Sequence, residues 1–524
     1  MMGFDVYYLT GSDEHGQKIE ELAKAEGVEP KAYVDQIAAQ IKQVWDGMNI
    51  SYDRFIRTTD ADHEDAVEKI FQKLLEKGDI YKGEYEGKYC VPCESFFTAS
   101  QLKEGGLCPD CGRPCVDAKE EAYFLRLSKY ADRLVQYYEE NPEFFAPLSR
   151  KAEMINNFIK PGLADLCVSR STFSWGVKVK EDPRHVIYVW IDALSNYITA
   201  LGYNPDGSGA NFAKYWPADL HVIGKDIVRF HTIYWPILLM ALDLPLPKRV
   251  LGHPWVLFGE DKMSKSKGNV VYSDEMAEIF GVDAVRYYLL SEIPFAQDGS
   301  ITYESMIAKF NADLANTLGN LVSRSVAMAV KYFDGKVRRP ADFDNEIDAD
   351  LIACQKKALD AMNEGFDTLH IGDSINAVMD FAKRCNKYID ETMPWALAKD
   401  ESKKERLGTV LYNLLEVIRT GAVLLTPIIP ETCEKIFSQI GTTLDTYESI
   451  EAFGGIEAGK KVVKGDNLFA RIDEEKMMAE IAEERAAAEA AAKAVEKPEE
   501  VPQINIDTFM GVELRCARWL SAKR

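Results

Sequence analysis

The chain is short of the features that mark exported or membrane-spanning proteins. Apolar runs such as residues 233–244 are brief and interrupted by Pro and Asp, whereas a bilayer-spanning helix needs about 20 residues. The opening MMGFDVYYLTGSDEHG has no basic stretch leading into an apolar one, so no signal peptide is expected. Cysteine is scarce, ten in 524 residues, which is too sparse for a disulfide scaffold. Positive charge is in deficit: 62 Lys and Arg against 84 Asp and Glu leave −22. That balance argues against a broad basic coat for nucleic acid and leaves room for a local basic patch. Together these deficits predict a soluble cytoplasmic protein with no membrane partner. What is present is ordinary for a globular chain, 47% apolar and 28% charged, so wholesale disorder is excluded. The length predicts two to four domains.

Residues 4–10 (FDVYYLT) are aromatic and β-branched and stop at Gly11-Ser12-Asp13, which predicts a buried strand ending in a loop. Residues 17–27, 31–49 and 63–77 carry apolar side chains at helical spacing. Strands alternating with helices predict a parallel α/β sheet. From residue 85 to about 116 the texture turns to Gly, Pro and Cys, as in an inserted module. Strand signals resume at 185–190 (HVIYVW), 219–223 (DLHVI) and 251–258 (LGHPWVLF). Residues 303–438 are almost wholly helical in pattern, broken by Pro394, Pro427 and Pro430. Residues 471–502 hold ten acids, five bases and an Ala-rich centre, a solvated helix or linker ended by Pro498 and Pro502. Residues 504–520 alternate apolar and polar and read as the first strand of another domain.

Several segments carry chemistry. Lys262-Met263-Ser264-Lys265-Ser266-Lys267-Gly268-Asn269 packs three lysines, two serines and a Gly-Asn turn into one loop. Lysine is a point charge for phosphate, and Gly lets backbone N–H groups approach it; composition alone favours a solvated surface loop. Cys90/Cys93 and Cys108/Cys111 form CVPC-(14 residues)-CPDC, a spacing at which four thiolates can close a tetrahedral zinc site that folds a module with little core of its own. Cys115, four residues on, reads as a spare thiol. Asp13 and His15 follow the first strand, where open α/β sheets place ligands; Ser12 or Asp13 could equally cap the next helix. Trp190, Ala193 and Tyr197 share one helical face, and on pattern alone such a face is more often core than pocket. Asn320 and Arg324 lie four apart, and Trp395 follows Met393-Pro394.

In order, TGSDEHGQKI, CVPC with CPDC, YVWIDALSNY, HVIGKDIVRFH and HPWVLFGEDKMSKSKGN resemble the methionyl-tRNA synthetases, a class I aminoacyl-tRNA synthetase family, over nearly the whole chain. The resemblance implies an α/β Rossmann-like parallel sheet with a zinc-knuckle insert, followed by an all-α anticodon-binding bundle. It implies ATP-dependent activation of L-methionine and transfer to tRNA(Met), with Mg2+ accompanying ATP and one structural Zn2+ on Cys90, Cys93, Cys108 and Cys111. Asp13 would hold the α-amino group of methionine. Trp190, Ala193, Tyr197, Ile227 and His231 would line a pocket for its thioether, a polarizable group suited to aromatic walls. His253, Lys262, Ser264, Lys265 and Ser266 would bind ATP, with Lys262 and Lys265 catalytic. Asn320, Arg324 and Trp395 would meet the anticodon bases. The implied domains are 1–84 and 168–250 for the two catalytic halves, 85–167 for the insert, 251–302 for the signature loop and stem-contact region, and 303–470 for the anticodon bundle. An acidic linker (471–502) and the start of an OB-type tRNA-binding domain (503–524) follow; the rest of that domain would support a homodimer.

The family's HIGH-like motif is not in this sequence. The resemblance therefore predicts that the first strand, that turn and the helix after it lie upstream of Met1, and that this chain by itself is nearly inactive. A non-catalytic tRNA-binding relative is the main alternative, and the intact KMSKS loop and pocket residues argue against it. A sister enzyme for cysteine, isoleucine, leucine or valine would carry a substrate-site zinc or a larger insert, and a zinc-ribbon binding protein would leave the KMSKS loop unexplained.

Overall fold

The computed structural model describes residues 3–90, 95–97, 102–109, 112–263, 270–340 and 345–495. The first strand, β1 (Leu9–Ser12), is shorter than the sequence pattern suggests. A strand extends only as far as its partner. β2 (Arg54–Arg57) pairs with it in parallel from Leu9↔Arg54 to Ser12↔Arg57, and Asp53 closes the ladder by accepting from the Tyr8 N–H at 2.6 Å. Upstream of that closure Phe4, Val6 and Tyr8 are exposed rather than buried. Gly11 is required where it stands: a Cβ there would lie 2.1 Å from the Ile56 carbonyl oxygen. Between the two strands run α1 (Gln17–Glu26), ended by Gly27 in the left-handed region, and α2 (Pro30–Gly47), which opens with proline at its first turn. The helix α3 (Ala61–Glu76) follows β2 and buries His63, Ala66, Val67, Ile70, Phe71 and Leu74.

The insert is a long antiparallel arm. Strand Ile80–Cys90 pairs with Val116–Leu125 from Ile80↔Leu125 to Tyr89↔Val116, and Ser95–Phe97 adds on at Lys88–Cys90. Parallel pairing then resumes in the order His221–Gly224, Val250–His253, Phe145–Ala146. The Rossmann-like sheet thus appears among the described residues as two parallel ladders, β1/β2 and this three-stranded piece. Two sequence expectations are corrected. Residues 185–190 give only the short strand Val186–Ile187, because Tyr188 is already the extended N-cap of the helix Val189–Thr199. Residues 251–258 split into Val250–His253 and Val256–Phe258 around Pro254, which has no N–H to give a ladder.

Val256–Phe258 pairs in parallel with Gly299–Ile301 and antiparallel with Asp261–Lys262, so Lys262 sits opposite Leu257 on the return strand of a hairpin. Residues 303–438 are nearly all helical among the described residues, as expected. The helix Lys404–Leu425 buries every residue from Leu407 to Leu425. Its apolar stretch has the length and composition to cross a membrane, yet it is wholly buried inside the protein as the centre of the bundle. Within it, Glu416 accepts from the fully buried Arg419 guanidinium and from the backbone N–H groups of Gly454, Gly455 and Ile456, so the buried charge is fully paired. The acidic segment forms the helix Glu474–Val495; the expected OB-type strand at 504–520 lies outside the described residues. Arg286 joins the two halves of the molecule, donating to the carbonyls of Met48 and Asn49 after α2 and of Pro427 and Ile428 in the bundle.

Candidate active site

The loop after β1 is held by two buried charged side chains on either side of one peptide bond. Glu14 accepts from Arg57 Nε at 2.6 Å and Nη2 at 2.9 Å, and from the hydroxyls of Ser12 and Thr59. Its own N–H donates to Thr58 Oγ1 at 2.9 Å. His15 Nδ1 lies 2.6 Å from Asp192 Oδ2 and its Nε2 3.5 Å from Glu64 Oε1. Asp192 is completely buried, and its other oxygen takes His63 Nε2–H at 2.8 Å. Burial works against charge on His15, but the Asp192 carboxylate beside it outweighs that cost and holds the imidazolium well above the ordinary histidine range. Burial likewise opposes the Asp192 carboxylate, and the two histidines hold its carboxyl below the ordinary value. Asp13, just before this pair, is exposed. Neither Ser12 nor Asp13 caps α1: its N-cap is Gly16, with no side-chain cap.

Asp192 belongs to the helix Val189–Thr199, which also carries the half-buried Trp190, Ala193 and Tyr197. Tyr197 and His231 meet directly, Oη to Nε2 at 2.7 Å. His231 Nδ1–H donates to the Ile227 carbonyl at 3.0 Å, which leaves Nε2 as the acceptor and fixes the tautomer. Burial pulls the His231 value down to about 4, so the ring is neutral at pH 7. Tyr197, its hydroxyl pushed up by burial, stays a donor. His231 lies in a π-helical turn, Phe230–Tyr234, an irregularity frequent at functional sites. Its neighbour Phe230 stacks on Trp190 with ring centroids 3.5 Å apart. Tyr197, Ile227 and His231 are thus joined by hydrogen bonds, and Trp190, on the same helix as Tyr197 with Ala193 between them, meets Phe230 beside His231.

His253 ends its strand opposite Gly224, at the C-terminal edge where open α/β sheets bind ligands, and donates Nδ1–H to the Pro254 carbonyl at 2.8 Å. Two residues on, Trp255 carries Lys262 Nζ 3.7 Å from its ring centroid and Lys225 Nζ at 4.1 Å. Asp298 ties this corner, pairing with Lys225 at 2.6 Å and accepting from the Trp255 N–H at 3.0 Å. Ser264, Lys265 and Ser266 lie outside the described residues. In the bundle, Asn320 Nδ2 donates to Asn386 Oδ1 at 3.2 Å and Arg324 pairs with Asp390 at 3.0 Å. Asn386 and Asp390 sit near the end of the helix Ile371–Thr392, which stops at Met393 in the left-handed region (φ 44°). Trp395 follows on the next short helix, 43% exposed. In the arm, the sulfurs of Cys90, Cys108 and Cys115 lie within 4.8 Å of one another; Cys93 and Cys111 lie outside the described residues.

The family described as tRNA synthetases class I (M) matches residues 1–118 and 113–326, and the anticodon binding domain of methionyl tRNA ligase matches 341–490. The chain belongs to the methionyl-tRNA synthetase family. It is 56% identical to a methionine–tRNA ligase of Clostridium acetobutylicum over all of this chain and 80% of that protein. With the ligase of Bacillus subtilis it shares 51%, over all of this chain and 81% of the relative. Its fold is similar to the Mycobacterium tuberculosis methionyl-tRNA synthetase in complex with methionyl-adenylate, with TM-score 0.86, 41% identity, and 90% and 92% of the two chains covered.

For a synthetase of this family, sequence reasoning passed over Phe230, Glu14, Arg57, His63 and Asp192. The first had a signal, since it adjoins His231 in HVIGKDIVRFH. Asp192, an acid inside an apolar helical stretch, signalled a buried charge, but nothing in the sequence pointed to its partners or to the Glu14–Arg57 pair, which join residues far apart in the chain. Among the described residues, Cys115 stands with Cys90 and Cys108 in one cluster of sulfurs. Three thiols, with Cys90 and Cys108 fully buried and Leu102 packed beside them, fit a thiolate-binding ion, whose tetrahedral shell sets sulfurs about 3.8 Å apart.

Proposed function

We propose that this chain activates L-methionine with ATP and passes the methionyl group to tRNA(Met), using the residues its neutral aromatic recess and basic hairpin bring to one end of the sheet. The Tyr197–His231 contact carries the reading. A pocket walled by rings, with both of its histidines, His221 and His231, held neutral by burial, suits an uncharged polarizable thioether and disfavours charged side chains. In the same reading the exposed carboxylate of Asp13 takes the α-ammonium group and so turns the substrate carboxylate toward ATP.

Activation is attack of that carboxylate on the α-phosphorus, with pyrophosphate leaving. Negative charge grows on the leaving oxygens, so fixed cations and N–H donors supply most of the rate. Lys262, Lys265 and His253, with Ser264 and Ser266, are proposed for this work; no protein nucleophile is needed. Mg2+ would arrive with ATP and neutralise part of its charge. Bound zinc would supply fold to the arm through Cys90, Cys108 and the remaining thiols. Asn320, Arg324 and Trp395 are proposed to read the anticodon, the indole stacking a splayed base while the two polar side chains meet base edges. The same proposal places the protein in the cytoplasm.

Ligand-dependent thermal stabilisation tests the pocket first, since a ligand that binds only the folded state raises its melting point in proportion to RT ln(1 + [L]/Kd). Methionine should stabilise and leucine should not. Methionine-dependent ATP–pyrophosphate exchange tests the chemistry. Stabilisation by leucine in preference to methionine would overturn the assignment.

A further inference from the structure

A buried ion pair links the loop that carries Asp13 to the helix that carries Trp190, Ala193 and Tyr197, and nothing in the reaction described above uses it. Both ring nitrogens of His15 face carboxylates, Asp192 at 2.6 Å and Glu64 at 3.5 Å. Only a doubly protonated ring can donate to both. The facing groups on every packed element are Asp13 and Glu14 from its own loop, His63 and Glu64 from α3, and Asp192 from the pocket helix. The Trp175 ring meets the imidazole edge-on at 5.3 Å. Asp192 cannot swing away, because His63 bridges its second oxygen to Thr199 Oγ1 of the same helix, at 2.8 and 2.7 Å. Glu14, meanwhile, is bound to β2 through Arg57. Asp13 therefore has the β1/β2 ladder on one side and two buried anchors on the other, of which only His15 reaches the pocket helix.

We propose that His15 and Asp192 form a buried clamp that sets the position of Asp13 relative to the aromatic recess, making both positioning residues for the α-ammonium group of methionine. The clamp rests on the pocket reading given above. Its consequence is selective. Loosening it misplaces a carboxylate that only an ammonium-bearing ligand uses, and it leaves the thioether recess and the ATP corner as they are.

The test uses the full chain and four ligand-binding measurements: methionine, its desamino analogue 4-methylthiobutanoate, leucine and MgATP. In His15→Gln the affinity for methionine should fall by about tenfold or more, the scale of a charge-assisted hydrogen bond lost. Binding of the desamino analogue and of MgATP should stay within about twofold of the parent, an energy of only a few tenths of a kcal/mol. In an Asp13→Asn background, His15→Gln should cost little more, because the two changes act through one group. Should His15→Gln not fold, 15N-histidine NMR of the unaltered chain, with seven histidines, still decides: one ring should remain doubly protonated at pH 8 and lose that state in Asp192→Asn. Equal losses for methionine and the desamino analogue, or no doubly protonated ring, would overturn the clamp alone. A parent chain that keeps the charged ring but prefers leucine would overturn the pocket reading, and the role proposed here with it.

Discussion

Replacing Tyr197 with phenylalanine removes one oxygen and should expose how tightly the recess is balanced. The ring can stay where it packs, 4.2 Å from the His221 ring centroid and 5.8 Å from that of Trp235. What changes is His231, which is 3% exposed. Its Nδ1–H is committed to the Ile227 carbonyl, so Nε2 has the Tyr197 hydroxyl, at 2.7 Å, as its donor. Burial has pulled its value down to about 4, and it cannot pick up a proton near pH 7 to find a new role. A buried acceptor left without a donor costs about 1–3 kcal/mol. For a unit of 150–250 residues that is a fall in melting temperature of roughly 2–12 °C. Removing both polar partners with shape roughly kept can be nearly neutral by the same logic. Tyr197→Phe/His231→Leu should therefore melt above the sum of the two single losses, and the cycle of four proteins, followed by the unfolding transition of the catalytic part, measures the difference. Strict additivity would refute the argument that the hydroxyl is there for the histidine. Methionine affinity should fall in Tyr197→Phe as the ring of His231 reorients.

Three further outcomes follow from other parts of the molecule. The His15–Asp192 pair predicts a stability plateau on the acid side of neutrality, between the ordinary carboxylate and histidine values: the histidine's raised value contributes fully below its ordinary range and is lost progressively as pH rises from there through the folded value of about 10, while the aspartate's depressed value contributes fully above its ordinary range and is lost as pH falls through the folded value. Asp192→Asn should bring the alkaline limb down toward neutrality in urea titrations across pH, and an unchanged limb would contradict the pairing. Stripping metal with a strong chelator under reducing conditions should release about one zinc per chain and lower the melting point of the arm, with Cys90→Ser binding less metal; an arm equally stable with and without chelator would refute a structural ion. Trp395→Ala should weaken tRNA(Met) binding roughly 5- to 150-fold, the worth of one base stacked on an aromatic ring, while methionine binding stays unchanged; parallel loss of both would mean the indole supports the bundle instead.

The motif strings and the long amphipathic helices were legible because both are local. A parallel α/β sheet, a cysteine module and a helical bundle follow from periodicity and punctuation; the hairpin carrying Lys262 does not, since residues 251–258 read as one strand leading into a loop. Errors came where tertiary partners overrule local preference. The β-branched run at 185–190 turns into a helix after two strand residues, since Tyr188 is used as a cap. Residues 4–8 have strand composition, yet among the described residues their pairing stops at Tyr8, whose carbonyl accepts from the Asp53 N–H at 2.8 Å. Asp192 is the most instructive case. In Tyr188-Val189-Trp190-Ile191-Asp192-Ala193-Leu194 an acid sits inside an apolar helical stretch, and a buried carboxylate demands a cation or several donors. That demand could have been read from the sequence. Which side chains meet it could not, because His63 and His15 lie 129 and 177 residues away. Local pattern thus announces that a charge is buried, and only the fold supplies its partner. The pairing of a pocket helix with the loop that bears Asp13 belongs to that second kind of information, and it is there that the enzyme's selectivity for an α-amino acid would be set.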